Sequence, residues 1–244
     1  MSKSQQRVTL ITGANKGIGF EISRQLSNAG SLVLLGARNT ELGKKAAEKL
    51  SLNGSDVTFV HIDLTNTGSI VEAAEIVKQK YGRLDTLINN AGISDPEDGP
   101  PGTTNLQSVR RIFDTNLFGT LEVTQAMLPL LQQSESPQII NLSSGLGSIT
   151  LHNDPEWEYA PYKLFGYSAS KAALNMMTVQ LAAELKGSNV IVNSIDPGFT
   201  ATDLNNHRGT QTIDEGAAAA VSQALNPQSN ITGGFISSND SLPW

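Results

Sequence analysis

The sequence predicts an α/β fold: one domain built as a doubly wound parallel sheet. Three observations carry that reading. Short apolar runs alternate with helix-patterned stretches along the chain, as expected for parallel strands covered by helices on both faces. The first run leads into a glycine-rich turn, Thr12-Gly13-Ala14-Asn15-Lys16-Gly17-Ile18-Gly19, and an amphipathic stretch follows it. The 244 residues suit one domain of ordinary size, and no repeat, low-complexity tract or second domain divides them.

The elements follow in order. Val8–Thr12 reads as the first strand, and Ile18, Ile22 and Leu26 recur every four residues as the apolar stripe of a first helix. Leu32–Leu35 is a second strand, followed by a polar helix from Glu41 to Leu50. Val57–Ile62 is a third strand, and Ile70, Ala74, Val77 and Tyr81 mark the helix after it. Leu84–Asn89 is a fourth strand, ending at Asn89-Asn90-Ala91-Gly92. One long helix is predicted from Leu106 to Leu131, then a strand over Ile139–Leu142. A second long helix spans Tyr167–Lys186, with Leu174, Leu181 and Leu185 on its apolar side. Val190–Ile195 is a sixth strand, and Phe235–Ser237 is a short last one. Between them, Thr212 and Glu215 have the spacing of a capping box and open an alanine-rich helix. Three connections, 94–105, 151–166 and 203–211, are read as active-site loops. The second is rich in aromatic residues: Trp157, Tyr159, Tyr162 and Phe165.

Composition narrows the function. Hydrophobic residues make up 39% and charged residues 16%, which is globular rather than disordered. The formal net charge is −6 with no long basic run, which argues against nucleic acid as a partner. The absence of cysteine excludes disulfides, thiolate catalysis and cysteine-ligated zinc. His61, His152 and His207 are far apart and lack metal-ligand spacing, so no metal is expected. The start, Met1 to Arg7, is polar, and no stretch is apolar enough to span a bilayer. The expectation is a cytoplasmic protein with no membrane partner.

Two motifs carry chemistry. Tyr167 and Lys171 stand four apart in a helix-favouring run and therefore share a face. A cation beside a phenol favours the phenolate, so Lys171 is expected to lower the Tyr167 pKa and make it a proton donor or acceptor near neutral pH. The glycine-rich turn joins a strand to a helix, where backbone N–H groups and the helix dipole favour a phosphate. Its spacing, G-x-x-x-G-x-G, differs from the G-x-G-x-x-G of long dehydrogenases. The second strand ends at Gly36-Ala37-Arg38-Asn39, where an NAD site would carry an acid for the ribose 2′-hydroxyl. Arg38, with help from Lys16, instead suits a 2′-phosphate, so NADP(H) is the expected cofactor.

These motifs, in this order, resemble the short-chain dehydrogenase/reductase family in its single-domain branch, a Rossmann fold. The resemblance covers nearly the whole chain. Thr12–Gly19 matches TGxxxGIG, with Gly13, Asn15, Lys16, Gly17, Ile18 and Gly19 expected at the cofactor. Asp63 matches the acid that contacts adenine, with Leu64 beside it, and Asn90, Ala91 and Gly92 belong to the NNAG match. Asn116 occupies the active-site asparagine position, and Ser144 follows Asn141-Leu142-Ser143 as the catalytic serine does. Tyr167 and Lys171 match YxxxK, and Pro197, Gly198, Thr200 and Thr202 match the turn that holds the nicotinamide. Taken singly, Asn89-Asn90 and Pro197-Gly198 also suit plain turns.

The resemblance implies reversible reduction of ketones or aldehydes of small molecules by NADPH. Tyr167 would protonate the developing alkoxide, and Ser144 would hydrogen-bond the carbonyl oxygen. Lys171 would also bind the nicotinamide ribose, and Asn116 would hold a water relaying protons towards Lys171. The opening Gly13–Phe20 and the insert before Tyr167 resemble carbonyl reductases, although the insert is shorter than in the monomeric animal ones. A homo-oligomer, dimer or tetramer, is therefore open. So are an NAD-dependent alcohol dehydrogenase and an NADP-binding sensor without turnover. Two local choices arise. Tyr159 and Lys163 form a second YxxxK, but Pro161 inside it opposes a shared helical face. Ser143 and Ser144 are adjacent and point oppositely, so one of them faces the site, and family register favours Ser144.

Overall fold

The computed structural model describes residues 6–52, 54–228, 230–238 and 240–244; the polar start, residues 1–5, lies outside them. Seven strands, β1 (Val8–Ile11), β2 (Leu32–Ala37), β3 (Val57–His61), β4 (Thr86–Asn89), β5 (Gln138–Leu142), β6 (Ile191–Ile195) and β7 (Phe235–Ile236), form one sheet. Its order is β3-β2-β1-β4-β5-β6-β7, and every pairing is parallel. The order reverses at β1, which pairs Ile11 with Leu35 of β2 on one side and with Ile88 of β4 on the other. A crevice opens beyond the carboxyl ends of the strands at such a point.

Helices α1 (Gly17–Asn28), α2 (Thr40–Ser51), α3 (Thr67–Tyr81), α4 (Leu106–Phe113), α5 (Thr120–Leu131), α6 (Ile149–His152), α7 (Phe165–Glu184) and α8 (Ile213–Leu225) cover both faces. Adjacent strand residues feed opposite faces. Ile11, Leu35, Ile88 and Ile140 pack with Ile22, Leu26, Ala217 and Ala220, and Leu10, Leu34, Leu87 and Ile139 pack with Ile70, Val77, Val123 and Met127. Thr212 and Glu215 form the capping box at the start of α8 that their spacing predicts, with the Thr212 N–H donating to Glu215 at 2.8 Å. Among the described residues no helix is long and apolar enough to cross a membrane.

One expectation is corrected. The single helix expected over Leu106–Leu131 is α4 and α5 joined by a π-helical turn, Asp114–Gly119. The backbone of Leu64 presses so closely on Gly119 that a Cβ there would overlap it. The widened turn accommodates that approach and turns Asn116 inward, where it is 1% exposed.

Candidate active site

The carboxyl ends of β1, β4, β5 and β6 bring four sequence-distant segments together. At β1 the chain enters the glycine turn. Gly13 has φ +64°, and a Cβ there would stand 2.8 Å from the Ala91 Cα. A Cβ at Gly19 would collide with the Asn90 amide. The Asn90 side chain donates to the Thr12 carbonyl at 2.8 Å, and the Asn90 and Ala91 N–H groups both donate to the Thr12 hydroxyl at 3.1 Å. The segment after β4 is thus sewn to the glycine turn. Helix α1 opens from Lys16 with no side-chain cap, leaving its first-turn N–H groups for an anion. Those free donors, and a cradle that side chains at Gly13 and Gly19 would fill, fit the pyrophosphate of a dinucleotide.

Around that cradle, Arg38 is exposed at the end of β2 and acts on Asp63. Burial pushes the Asp63 carboxyl up, but bonds from the Thr65 backbone and hydroxyl, with Arg38 and His61 nearby, hold it below its ordinary value. Leu64 is buried against Gly119. Lys16 departs from expectation: its ammonium is 2.6 Å from Asp203, a residue of the 203–211 loop that His207 also meets at 2.9 Å. The close approach of Thr202 to Gly17 brings Asp203 within its reach. A surface groove of about 440 Å³ beside this turn is lined by Asn15, Lys16, Phe20, Lys45 and Lys49.

The second half of the site rests on α7. Tyr167 opens onto the cleft, and its side chain is hydrogen-bonded with that of Ser144. Ser143 is 2% exposed, and its hydroxyl has no partner among the described residues. The adjacent serines therefore point apart, and Ser144 is the one beside the phenol. Lys171 is 4% exposed, donates to the Leu142 carbonyl at 2.7 Å, and lies 5.7 Å from the centre of the Tyr167 ring. A Cβ built on Gly92 would be 3.4 Å from both Lys171 Nζ and Asn116 Oδ1, so these two heads converge on Gly92. The Asn116 amide accepts from the Ile93 N–H at 2.8 Å and donates to the Ile93 carbonyl and to Ser170, both at 3.0 Å. Gly198, at φ +71°, turns the chain after β6, and Thr200 donates to the Pro197 carbonyl at 3.0 Å. Tyr159 lies in a turn and Lys163 in irregular chain, both before α7, and they share no helical face.

The electrostatics differ from expectation. Burial pushes the Tyr167 phenol up to about 12; Asp196 adds to the rise, and the Ser144 bond opposes it. Burial brings the Lys171 ammonium down to about 8. Desolvation and a neighbouring acid thus act on Tyr167 in the sense opposite to the lowering expected from Lys171.

Two acids at the site are not among the expected site residues. Asp98, in the 94–105 loop, accepts from the Gly166 and Tyr167 N–H groups at 2.8 and 2.9 Å and so caps α7. Asp196, directly after β6, accepts the Gly198 N–H at 3.1 Å and the Gly145 N–H; burial pushes its carboxyl above the usual range against those two bonds.

A nucleotide cradle at the switch point of a parallel sheet, beside a buried lysine and a half-buried tyrosine and serine, defines the class of dinucleotide-dependent oxidoreductases. The family model described as short chain dehydrogenase matches residues 7–212. A short-chain dehydrogenase, anuI, of Penicillium roqueforti is 38% identical over 92% of this chain and 90% of its own. Carbonyl reductase (NADPH) 3 of Rattus norvegicus is 30% identical over 92% of each chain. The structure of salutaridine reductase from Papaver somniferum superposes with a TM-score of 0.81 at 30% identity, covering 94% of this chain and 99% of that one. The chain belongs to the short-chain dehydrogenase/reductase family and is an oxidoreductase of that family.

Proposed function

We propose that the protein is an NADPH-dependent reductase of ketones and aldehydes, with Tyr167 as proton donor. The observation that carries this is the convergence of Tyr167, Ser144, Lys171 and Asn116 next to the uncapped glycine turn. A reduced nicotinamide bound along that cleft supplies the hydride. Tyr167 holds the proton for the alkoxide oxygen, and at about 12 it keeps that proton throughout the neutral range, which suits the reducing direction. The Ser144 hydroxyl, already beside the phenol, orients the carbonyl oxygen towards it. Lys171 uses one ammonium proton on Leu142 and has two left for the cofactor ribose. Asn116 has one lone pair left on Oδ1 for a water, its other bonds being spent on Ile93 and Ser170.

The NADP(H) reading is supported by exposed Arg38, by the lysines of the adjoining groove, and by the NADPH in the name of the rat relative. Lys16 joins Arg38 only by leaving Asp203. With this go a cytoplasmic location and a homo-oligomer, the latter supported by exposed Phe118, Leu121, Met176 and Val179 on the π turn, α5 and α7. Cell fractionation and light scattering check these two. The reductase reading is tested by oxidation of NADPH and of NADH over aldehydes, aryl ketones, keto esters and cyclic diketones. Turnover with NADPH and little with NADH is expected; no turnover with either, or a preference for NADH, overturns it.

A further inference from the structure

Asp196 is an acid in the substrate cleft that carbonyl reduction does not require. Its charge acts on Tyr167 and, more weakly, on Tyr159, and across Gly145 it neighbours Trp157 of the 151–166 insert. It is partly open to the cleft, and none of the ion pairs among the described residues includes it. Among the described residues, the bonds that stabilise its charge come from the backbone N–H groups of Gly145 and Gly198.

Facing it is a wall of aromatic rings. Trp157 and Tyr159 stand edge to face with centres 5.6 Å apart, and Tyr159 meets Phe199 at 5.7 Å. Gly145 separates the acid from the indole. A Cβ built on it would lie 3.5 Å from Asp196 Oδ2 and 3.4 Å from the Trp157 ring, so the glycine leaves room for a methyl-sized group touching both. The insert also carries Asp154, Glu156 and Glu158 against Lys163 alone, which makes its surface attractive to cations.

We propose that Asp196, with the Trp157, Tyr159 and Phe199 rings, recognises a positively charged nitrogen, so that the preferred substrates are carbonyl compounds bearing an ammonium group. Carboxylate and aromatic faces attract a cation together, whereas a neutral branched alkyl group of equal shape gains only apolar contact with the rings. Burial disfavours the charge on Asp196 in the empty cleft, and a cation held beside it restores that charge. The inference rests on the reductase reading and names its substrate class.

The test uses two matched aldehydes, 3-(trimethylammoniomethyl)benzaldehyde and 3-neopentylbenzaldehyde, which differ in charge and hardly in shape. The ratio of their kcat/KM values with NADPH is measured within each protein, so losses common to both cancel. The wild type is expected to favour the charged aldehyde by tenfold or more. Asp196→Asn should bring that ratio close to one, and Trp157→Leu should lower it by several-fold. Gly145→Ala, which fills the gap, provides a variant with both partners intact and should also lower the ratio. A wild-type ratio near or below one, or an unchanged ratio in Asp196→Asn, overturns the proposal. If neither aldehyde is reduced, it is the reductase reading that fails. Tryptophan-fluorescence titration with the two compounds then still reads the preference: tighter binding of the charged one supports the cation site, and equal binding overturns it.

Discussion

Replacing Lys171 with methionine should abolish turnover and yet stabilise the folded protein. The ammonium is 4% exposed, and burial brings it from 10.5 to about 8. At about 1.4 kcal/mol per pH unit, holding that charge inside costs about 3 kcal/mol at neutral pH. Methionine fills the same space without charge. It leaves the Leu142 carbonyl without the donor now at 2.7 Å, which gives back about 1–3 kcal/mol. The net gain is then about 0–2 kcal/mol, or up to roughly 8 °C in Tm for a domain of this size. The sign depends on pH in a specific way. A lysine whose pKa is lower folded than unfolded costs its full amount below about 8 and nothing above about 10.5. The advantage of Lys171→Met should therefore be full at pH 7 and shrink as pH rises from 8 to 10.5. Thermal melts of both proteins without cofactor, at equal protomer concentration, read this directly. A less stable variant at pH 7, or an advantage that does not change between pH 7 and pH 10, refutes the reasoning.

Arg38→Asp should weaken NADPH binding by about 1.5–3 kcal/mol and spare NADH, as read by fluorescence titration of both cofactors. Equal losses for the two would show that Arg38 does not meet a 2′-phosphate. Tyr167→Phe should remove nearly all turnover with NADPH binding largely intact, whereas Tyr159→Phe, which alters only the aromatic wall, should stay within a small factor of wild type. Ser144→Ala should lower kcat by about 10²-fold or more, as loss of an oxyanion donor does, and Ser143→Ala should not; steady-state kinetics side by side separates them.

Much of the fold was legible because its signals are local. The glycine turn, the strand–helix alternation and the Thr212–Glu215 cap each lie within a few residues of sequence. The YxxxK pair is legible for the same reason, and Pro161 is enough to separate it from its near copy at Tyr159. What was not legible depends on partners far away in the chain. The π turn at Asp114–Gly119 reflects contact with Leu64, and nothing in the residues Asp114 to Gly119 announces it. Lys16 meets Asp203 across 187 positions. The direction of the Tyr167 shift comes from burial and from Asp196, which falls between the predicted sixth strand and the turn that starts at Pro197.

Asp98 shows how such a hidden partner bears on catalysis, and it makes a last prediction. Helix α7 begins at Phe165, and its preceding residue, Leu164, offers no side-chain cap. The donors of the first turn must be satisfied from elsewhere. Asp98 does this from the 94–105 loop: Oδ1 accepts the Gly166 N–H at 2.8 Å and Oδ2 the Tyr167 N–H at 2.9 Å. The carboxylate also sits at the positive end of the α7 dipole. It therefore fixes the backbone of the very residue that carries the phenol, and ties one cleft loop to it. Asp98→Ala should cost about 1–2 kcal/mol, seen as a Tm lower by roughly 2–8 °C. It should also lower kcat more than it weakens NADPH binding, because the glycine cradle is untouched. Asp98→Asn keeps one acceptor oxygen of the two and should fall between. If Asp98→Ala melts within 1 °C of wild type and keeps its kcat, the start of α7 is held by the packing of Gly166 and Ser170 against their neighbours, and the loop carries no positioning role.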